Sequence, residues 1–165
     1  MKKERHVSQT PATVWLRQHG VPYTGHAYDY QPHGGALQGA AALGLSAHAV
    51  IKTLVMQDEH ARPLIVLMHG DRKVSTRQLA RQIGVKTVQP CEPAVAERHS
   101  GYQVGGTSPF GTRRAMPVYV EQSILELPQI AINGGRRGFI VQINPQACVQ
   151  ALGARSVHCA ISLDE

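Results

Sequence analysis

What this sequence lacks narrows it first. Its 165 residues hold only three cysteines, Cys91, Cys148 and Cys159, odd in number and far apart. With no CxxC, neither a disulfide framework nor a zinc knuckle is supported, and a reducing cytosol fits best. No long hydrophobic run is present. Leu64 to Met68 is far too short to cross a bilayer, and no apolar segment follows the charged start Met1-Lys2-Lys3-Glu4-Arg5-His6, so neither a membrane span nor a signal peptide is expected. The nine histidines form no HExxH and no His/Cys pair at ligand spacing, which argues against a metal site. His69 and His99 read as loop or hydrogen-bonding residues. No GxGxxG opens a helix and no GK[ST] follows a glycine loop, which excludes Rossmann and P-loop nucleotide binding. No G-x-S-x-G is present, and Ser108 precedes a proline, so a Ser/His/Asp triad is not expected. Cys91, just before Glu92-Pro93 at a helix start, is the cysteine whose surroundings could activate a thiol.

Acidic residues are also in short supply. Seventeen lysines and arginines against eleven acids give a net charge of +6 and a pI near 9.6. Such a surface attracts a phosphate-rich partner, although no basic tract is long enough to be a nucleic-acid tail. Hydrophobic residues make up 42% and charged residues 17%, enough apolar content for one globular domain and too much for a disordered chain.

What is there reads as an intermixture of helices and strands. Thr10-Pro11 is an N-cap followed by proline at the first helical position, and that helix stops at Gly20. Tyr23 to Tyr30 alternates like a strand. Pro32-His33-Gly34-Gly35 turns into an alanine-rich helix closed by Gly44. Val50 to Met56 and Leu64 to Met68 form a hairpin around Gln57-Asp58-Glu59-His60. Ser75 or Thr76 caps a helix ending at Gly84, Val85 to Val88 is a short strand, and Glu92-Pro93 opens a helix to about His99. Strands follow at Tyr102 to Val104, Val118 to Glu121, Ile130 to Asn133 and Phe139 to Ile143. A helix then runs from Asn144-Pro145 to Leu152-Gly153, and Val157 to Ile161 is a last strand. The class is α+β (mixed α/β): one domain with about seven strands in a mixed sheet and interspersed helices, a pattern whose periodicity alone does not decide closure into a barrel. Residues 8–163 are assigned to this domain and residues 1–7 to a flexible N-terminal extension.

Three segments carry candidate chemistry. Gly101-Tyr102-Gln103-Val104-Gly105-Gly106-Thr107-Ser108-Pro109-Phe110-Gly111 is a loop in which glycine lets a ligand approach the backbone. Gly105 and Gly106 would supply N–H donors to an oxyanion, with Thr107 and Ser108 as hydroxyl donors. A tight turn would account for the same residues. Asn133-Gly134-Gly135-Arg136-Arg137-Gly138 has the same look. Lys52 interrupts the apolar strand Val50-Ile51-Lys52-Thr53-Leu54-Val55, where a charge is costly unless paired or facing a cleft. It either polarises a carbonyl or holds an anion, or it snorkels outward from a half-exposed strand. Arg113-Arg114 and Arg136-Arg137, each just beyond a glycine cluster, would suit phosphates at a pocket rim.

Taken in order, the lysine strand, the loop Gly101-Tyr102-x-Val104-Gly105-Gly106-x-Ser108-Pro109-x-Gly111 and Gly134-Gly135-x-Arg137-Gly138 resemble the YbaK family. These are free-standing relatives of the prolyl-tRNA synthetase editing domain. The likeness runs from Thr10-Pro11-Ala12 to the last helix. It implies a mixed β-barrel core flanked by helices and a trans-acting hydrolase of mischarged aminoacyl-tRNA, in the nearest branch one that removes cysteine from proline tRNA. It further implies that Lys52 holds the aminoacyl group and that Gly105 to Pro109 cradles it through backbone N–H groups. No cofactor is implied: the substrate's own thiol or the terminal 2′-hydroxyl assists. Tyr28 matches an aromatic position near the pocket, and Asn133, Gly134 and Gly135 join the binding residues. tRNA and prolyl-tRNA synthetase are the implied partners. Where some relatives have an acidic residue, this chain has Ile140, which bears on amino-acid selectivity. A non-catalytic aminoacyl-tRNA-binding module, an alanine-specific deacylase and a small-molecule esterase or thioesterase stand as alternatives.

Overall fold

The computed structural model describes residues 9–165; the expected extension at residues 1–7 lies outside them. Local signals place most elements. Helix α1 spans Pro11–Gln18, with Thr10 as N-cap in a reciprocal capping box with Thr13 and proline in its first turn. Helices α2 (Gly35–Leu43), α3 (Thr76–Ile83), α4 (Pro93–Ser100) and α5 (Pro145–Leu152) each end on a glycine in the left-handed region: Gly44, Gly84, Gly101 and Gly153. The strands are β1 (Thr24–Ala27), β2 (Val50–Asp58), β3 (Pro63–His69), β4 (Arg72–Val74), β5 (Val88–Pro90), β6 (Val118–Glu121), β7 (Ile130–Arg136), β8 (Phe139–Ile143), β9 (Arg155–Val157) and β10 (Ala160–Ser162).

The mixed α+β, single-domain class is as expected; closure of the sheet is not. The main sheet runs β1-β8-β7-β2-β3-β6-β9, with β5 on the far end of β2, and β10 pairs β4 separately. Its terminal strands β1 and β9 do not meet, so the sheet is open rather than a barrel. The β2/β3 hairpin is antiparallel in unbroken register from Ile51↔His69 to Gln57↔Pro63, while β2/β7, β3/β6 and β6/β9 are parallel. Alternation along β3 sends Ile65 and Leu67 to one core with α1 and Phe110, and Leu64, Val66 and Met68 to a second with α3. Every residue of β3 is therefore buried, as a strand covered on both faces requires.

Two local expectations are corrected. Tyr102 to Val104 is not a strand: the Tyr102 ring is buried and its hydroxyl donates to the Phe110 carbonyl, so the segment folds on itself instead of joining a ladder. The strand expected at Val85 to Val88 lies at Val88–Pro90, because Val85 is taken up in closing α3, its N–H reaching the Ala80 carbonyl.

Candidate active site

A cavity of about 700 Å³ opens along β2. Ile51 to Met56 form its floor. Tyr28, Tyr30 and the first turns of α2 make one wall, and Pro90, Cys91, Pro93 and Ala96 another. Val104, Gly105 and Thr107 meet Asn133, Arg137 and Ile140 across it. It is large enough for a small polar group together with an apolar body.

Lys52 lies on this floor. Its ammonium donates to the backbone carbonyl of Arg72 in β4. Partial burial pushes its pKa down, and the carboxylate of Asp71 opposes that shift. Asp71 is in turn held by His48, whose Nδ1 lies 2.9 and 3.2 Å from its two oxygens, and by Arg72, whose guanidinium lies 3.4 Å away. The His48 ring stacks on His69 at 3.7 Å. His69 is fully buried; its Nδ1 donates to the His48 carbonyl at 2.6 Å and its Nε2 meets Ser123 Oγ at 2.8 Å. His48, His69 and Asp71 offer ligand atoms within 4.8 Å of one another. Both ring nitrogens of His69 are engaged within the protein, so the trio reads as a hydrogen-bonded support beside Lys52 rather than as a ready metal site. The reading of His69 as a hydrogen-bonding residue fits; its place is the buried end of a strand, not a loop.

The two glycine clusters pack on each other. Asn133 ties them: its Oδ1 accepts from the N–H of Gly135 (2.7 Å) and of Arg136 (3.1 Å), and its Nδ2 donates to the Gly105 carbonyl at 3.3 Å. Arg137 adds a second tie, Nε to the Val104 carbonyl at 2.8 Å, with its guanidinium 5.1 Å from the Tyr30 ring centroid. The contact requires glycine. At Gly105, with φ 91°, a Cβ would fall 2.5 Å from the Tyr30 hydroxyl, and at Gly106 one would fall 2.8 Å from the Arg137 backbone nitrogen.

The expected site residues divide on this geometry. Lys52, Gly105, Thr107, Tyr28, Asn133 and Arg137 line the cavity together. Gly106, Ser108, Pro109, Gly134 and Gly135 stand behind its wall. The Gly106 N–H is used by the Gln103 carbonyl at 2.8 Å, and the buried Ser108 hydroxyl accepts from the N–H of Phe110 at 3.2 Å, so both groups close the loop on itself. The carbonyl of Gly134 accepts from Thr10 Oγ1 at 2.6 Å, anchoring the second cluster to α1. Arg136 is exposed, its guanidinium 5.4 Å from the Phe139 ring centroid. Arg113 and Arg114 lie off the cavity, their backbone N–H groups bonded to the carbonyls of Ser100 and His99 at the end of α4. Cys91 does line it, but burial pushes its thiol pKa up and its partner is the Gln57 amide at 3.5 Å, not a base. Sequence reasoning missed two lining residues, Tyr30, two residues beyond Tyr28 in the segment that follows β1, and Thr53. The spacing of the tyrosines was a usable signal; nothing marked Thr53.

Comparison with known proteins agrees with this frame. The model of the aminoacyl-tRNA editing domain family matches residues 34–151. A protein of Enterococcus faecalis named "Putative Cys-tRNA(Pro)/Cys-tRNA(Cys) deacylase EbsC" is 28% identical over 148 residues, 89% of this chain and 90% of its own. Proline--tRNA ligase of Limosilactobacillus fermentum is 23% identical over 106 residues, 62% of this chain but 18% of the ligase. In fold, the chain superposes with a TM-score of 0.78 and 19% identity on a crystal structure titled as a putative trans-editing enzyme for prolyl tRNA synthetase, covering 92% of this chain and 96% of that one. The chain therefore belongs to the aminoacyl-tRNA editing domain family, the YbaK-type family its lysine strand and glycine clusters resemble, and is an aminoacyl-tRNA hydrolase.

Proposed function

We propose that this protein is a free-standing deacylase that removes cysteine wrongly attached to proline tRNA. The observation that carries the reading is the likeness to EbsC over nine-tenths of both chains, joined to a cavity that sets one lysine opposite a glycine loop. In this reading Lys52 holds the ester end of the aminoacyl group, and the backbone around Gly105 approaches it closely because no side chain intervenes. An aminoacyl ester is already activated, so orientation and charge stabilisation supply the rate, and the substrate's own thiol or the terminal 2′-hydroxyl assists the cleavage. Cys91 supports that view, since burial pushes its thiol pKa up and its hydrogen-bond partner among the described residues is the Gln57 amide, not a base.

tRNA is the macromolecular partner. A complex with prolyl-tRNA synthetase would give selectivity among tRNAs, and a cytoplasmic place follows from acting beside translation; among the described residues no helix is long and apolar enough to cross a membrane. The test is deacylation of cysteinyl-, alanyl- and prolyl-tRNA(Pro) by the wild type and by Lys52→Ala. Loss of cysteine alone, slowed at least about a hundredfold in the variant, is expected. Equal hydrolysis of all three, or an unimpaired variant, would overturn it.

A further inference from the structure

Strand β2 is paired with β3 along most of its length, but among the described residues its other edge is covered only at the two ends. At one end it pairs β7 at Val50 and Ile51; at the other it pairs β5 from Met56 to Asp58, and the Cys91 N–H reaches the Val55 carbonyl at 3.1 Å. The register is unbroken from Ile51 to Gln57, so main-chain groups alternate strictly and Thr53, like Val55 and Gln57, directs its N–H and C=O away from β3.

Both neighbours that could cover Thr53 leave before they reach it. Continuing the β5 register would set Pro93 opposite Thr53, and Pro93 has no N–H and opens helix α4. Continuing the β7 register would set Gly134 there, but β7 bulges between Asn133 and Arg136, and the Gly135 N–H is spent on the Asn133 side chain. The gap between them is the cavity, whose floor includes Thr53. Thr53 Oγ1 is also buried and has no hydrogen-bond partner among the described residues. A buried polar group left unpaired is costly, and a 120° turn about χ1 can carry the hydroxyl to the place the methyl held, and the methyl to that of the hydrogen, without moving the strand.

We infer that Thr53 is a substrate-binding residue: its open main-chain edge takes the α-amino and acyl carbonyl groups of an aminoacyl ester as one residue of a β-bridge, and its hydroxyl turns to complete the contact. This rests on the deacylase reading. In a hydrogen-bonded antiparallel pair one residue exchanges both its N–H and its C=O with the residue opposite. An aminoacyl group offers the same two functions on adjoining carbons. Its ammonium would donate to the Thr53 carbonyl and its acyl oxygen accept from the Thr53 N–H, beside Lys52. Esters without an α-amino group would then be poor substrates.

Two measurements test this. Deacylation of cysteinyl-tRNA(Pro) is compared for wild type, Thr53→Val and Thr53→Ser, with thermal melts of each. Separately, amide resonances of the wild type are followed on titration with the non-hydrolysable 3′-deoxy-3′-(cysteinylamino)adenosine. We expect Thr53→Val to lose about tenfold in kcat/KM with no fall in melting temperature, because it removes a hydroxyl that has no partner, and Thr53→Ser to keep the wild-type rate. We expect the Thr53 amide to shift with the analogue. An unshifted Thr53 amide beside shifted Gly105 and Asn133, or a Thr53→Val rate equal to wild type, overturns the inference while leaving the deacylase reading intact. Absence of hydrolysis by wild type on any aminoacyl-tRNA instead removes the reading on which it rests.

Discussion

Lys52 is where charge and burial compete most directly in this chain. Its pKa is lowered by burial, with Asp71 only partly offsetting the loss of water. The folded state therefore releases this proton at a lower pH than the unfolded chain does. Between the depressed value and the ordinary 10.5 the unfolded state binds more protons, so this group's contribution to stability rises with pH across that window, and at neutral pH it is a penalty. Lys52→Met, which keeps the stem and removes the charge, should accordingly melt higher than wild type at pH 7 and lose that advantage as pH climbs towards 10.5, while its deacylase activity is gone. Thermal melts across pH, paired with a rate assay, check both halves. A variant that melts lower at pH 7 would mean that the Arg72 carbonyl and Asp71 compensate the buried charge after all.

At the scale of elements, the β7–β8 turn and the 101–111 loop depend on each other through Asn133. Asn133→Ala would remove the side-chain acceptor of the Gly135 and Arg136 N–H groups and the amide donor to the Gly105 carbonyl. We expect a cost of about 1–3 kcal/mol, read as a lower denaturation midpoint, with faster hydrogen exchange confined to residues around Gly105 and Gly135 and a reduced rate. An unchanged exchange pattern would show that the Arg137 bond to Val104 suffices to hold the loops. Much at this scale was legible in the sequence. Thr10-Pro11 and the glycines Gly44, Gly84 and Gly153 mark helix ends by their own local chemistry, and the apolar hairpin announces β2 and β3. Lys52 and Gly105 were legible for the same reason, being residue types out of keeping with their surroundings. What was not legible is tertiary. Whether β1 meets β9 is decided by twist and by strands far apart in sequence. That Tyr102 folds inward is decided by the Phe110 carbonyl, and that Ser108 and Gly106 turn from the cavity is decided by bonds within the loop. Thr53 looks like any strand threonine until β5 and β7 are seen to part on either side of it.

For the whole molecule the informative quantity is where its net charge of +6 resides. Arg137 lies on the cavity and is already committed to Val104 and Tyr30, whereas Arg113 and Arg114 are exposed beyond α4, with Arg98 nearby on the same helix end. The coulombic effect of Arg114 and Arg98, after burial, pushes the pKa of His99 down, as expected where positive charges gather. The two sets should fail differently. If the exposed set follows tRNA phosphates, Arg113→Ala with Arg114→Ala should leave kcat unchanged, raise KM, and make the fall of log kcat/KM with log salt shallower by roughly 1.5, since each phosphate contact releases about 0.7–0.9 of a counterion. Arg137→Ala should lower kcat itself, because it unlocks the loop that carries Gly105 while scarcely altering the salt slope. Rates for both variants over a salt series separate the two, and an unaltered slope in the double variant would place the phosphate track on another face. Under the proposed function such a division has a physical logic: a cavity that reads only the acceptor end would gain little affinity from its few contacts, so long-range attraction would have to come from charge placed where it does not disturb the chemistry.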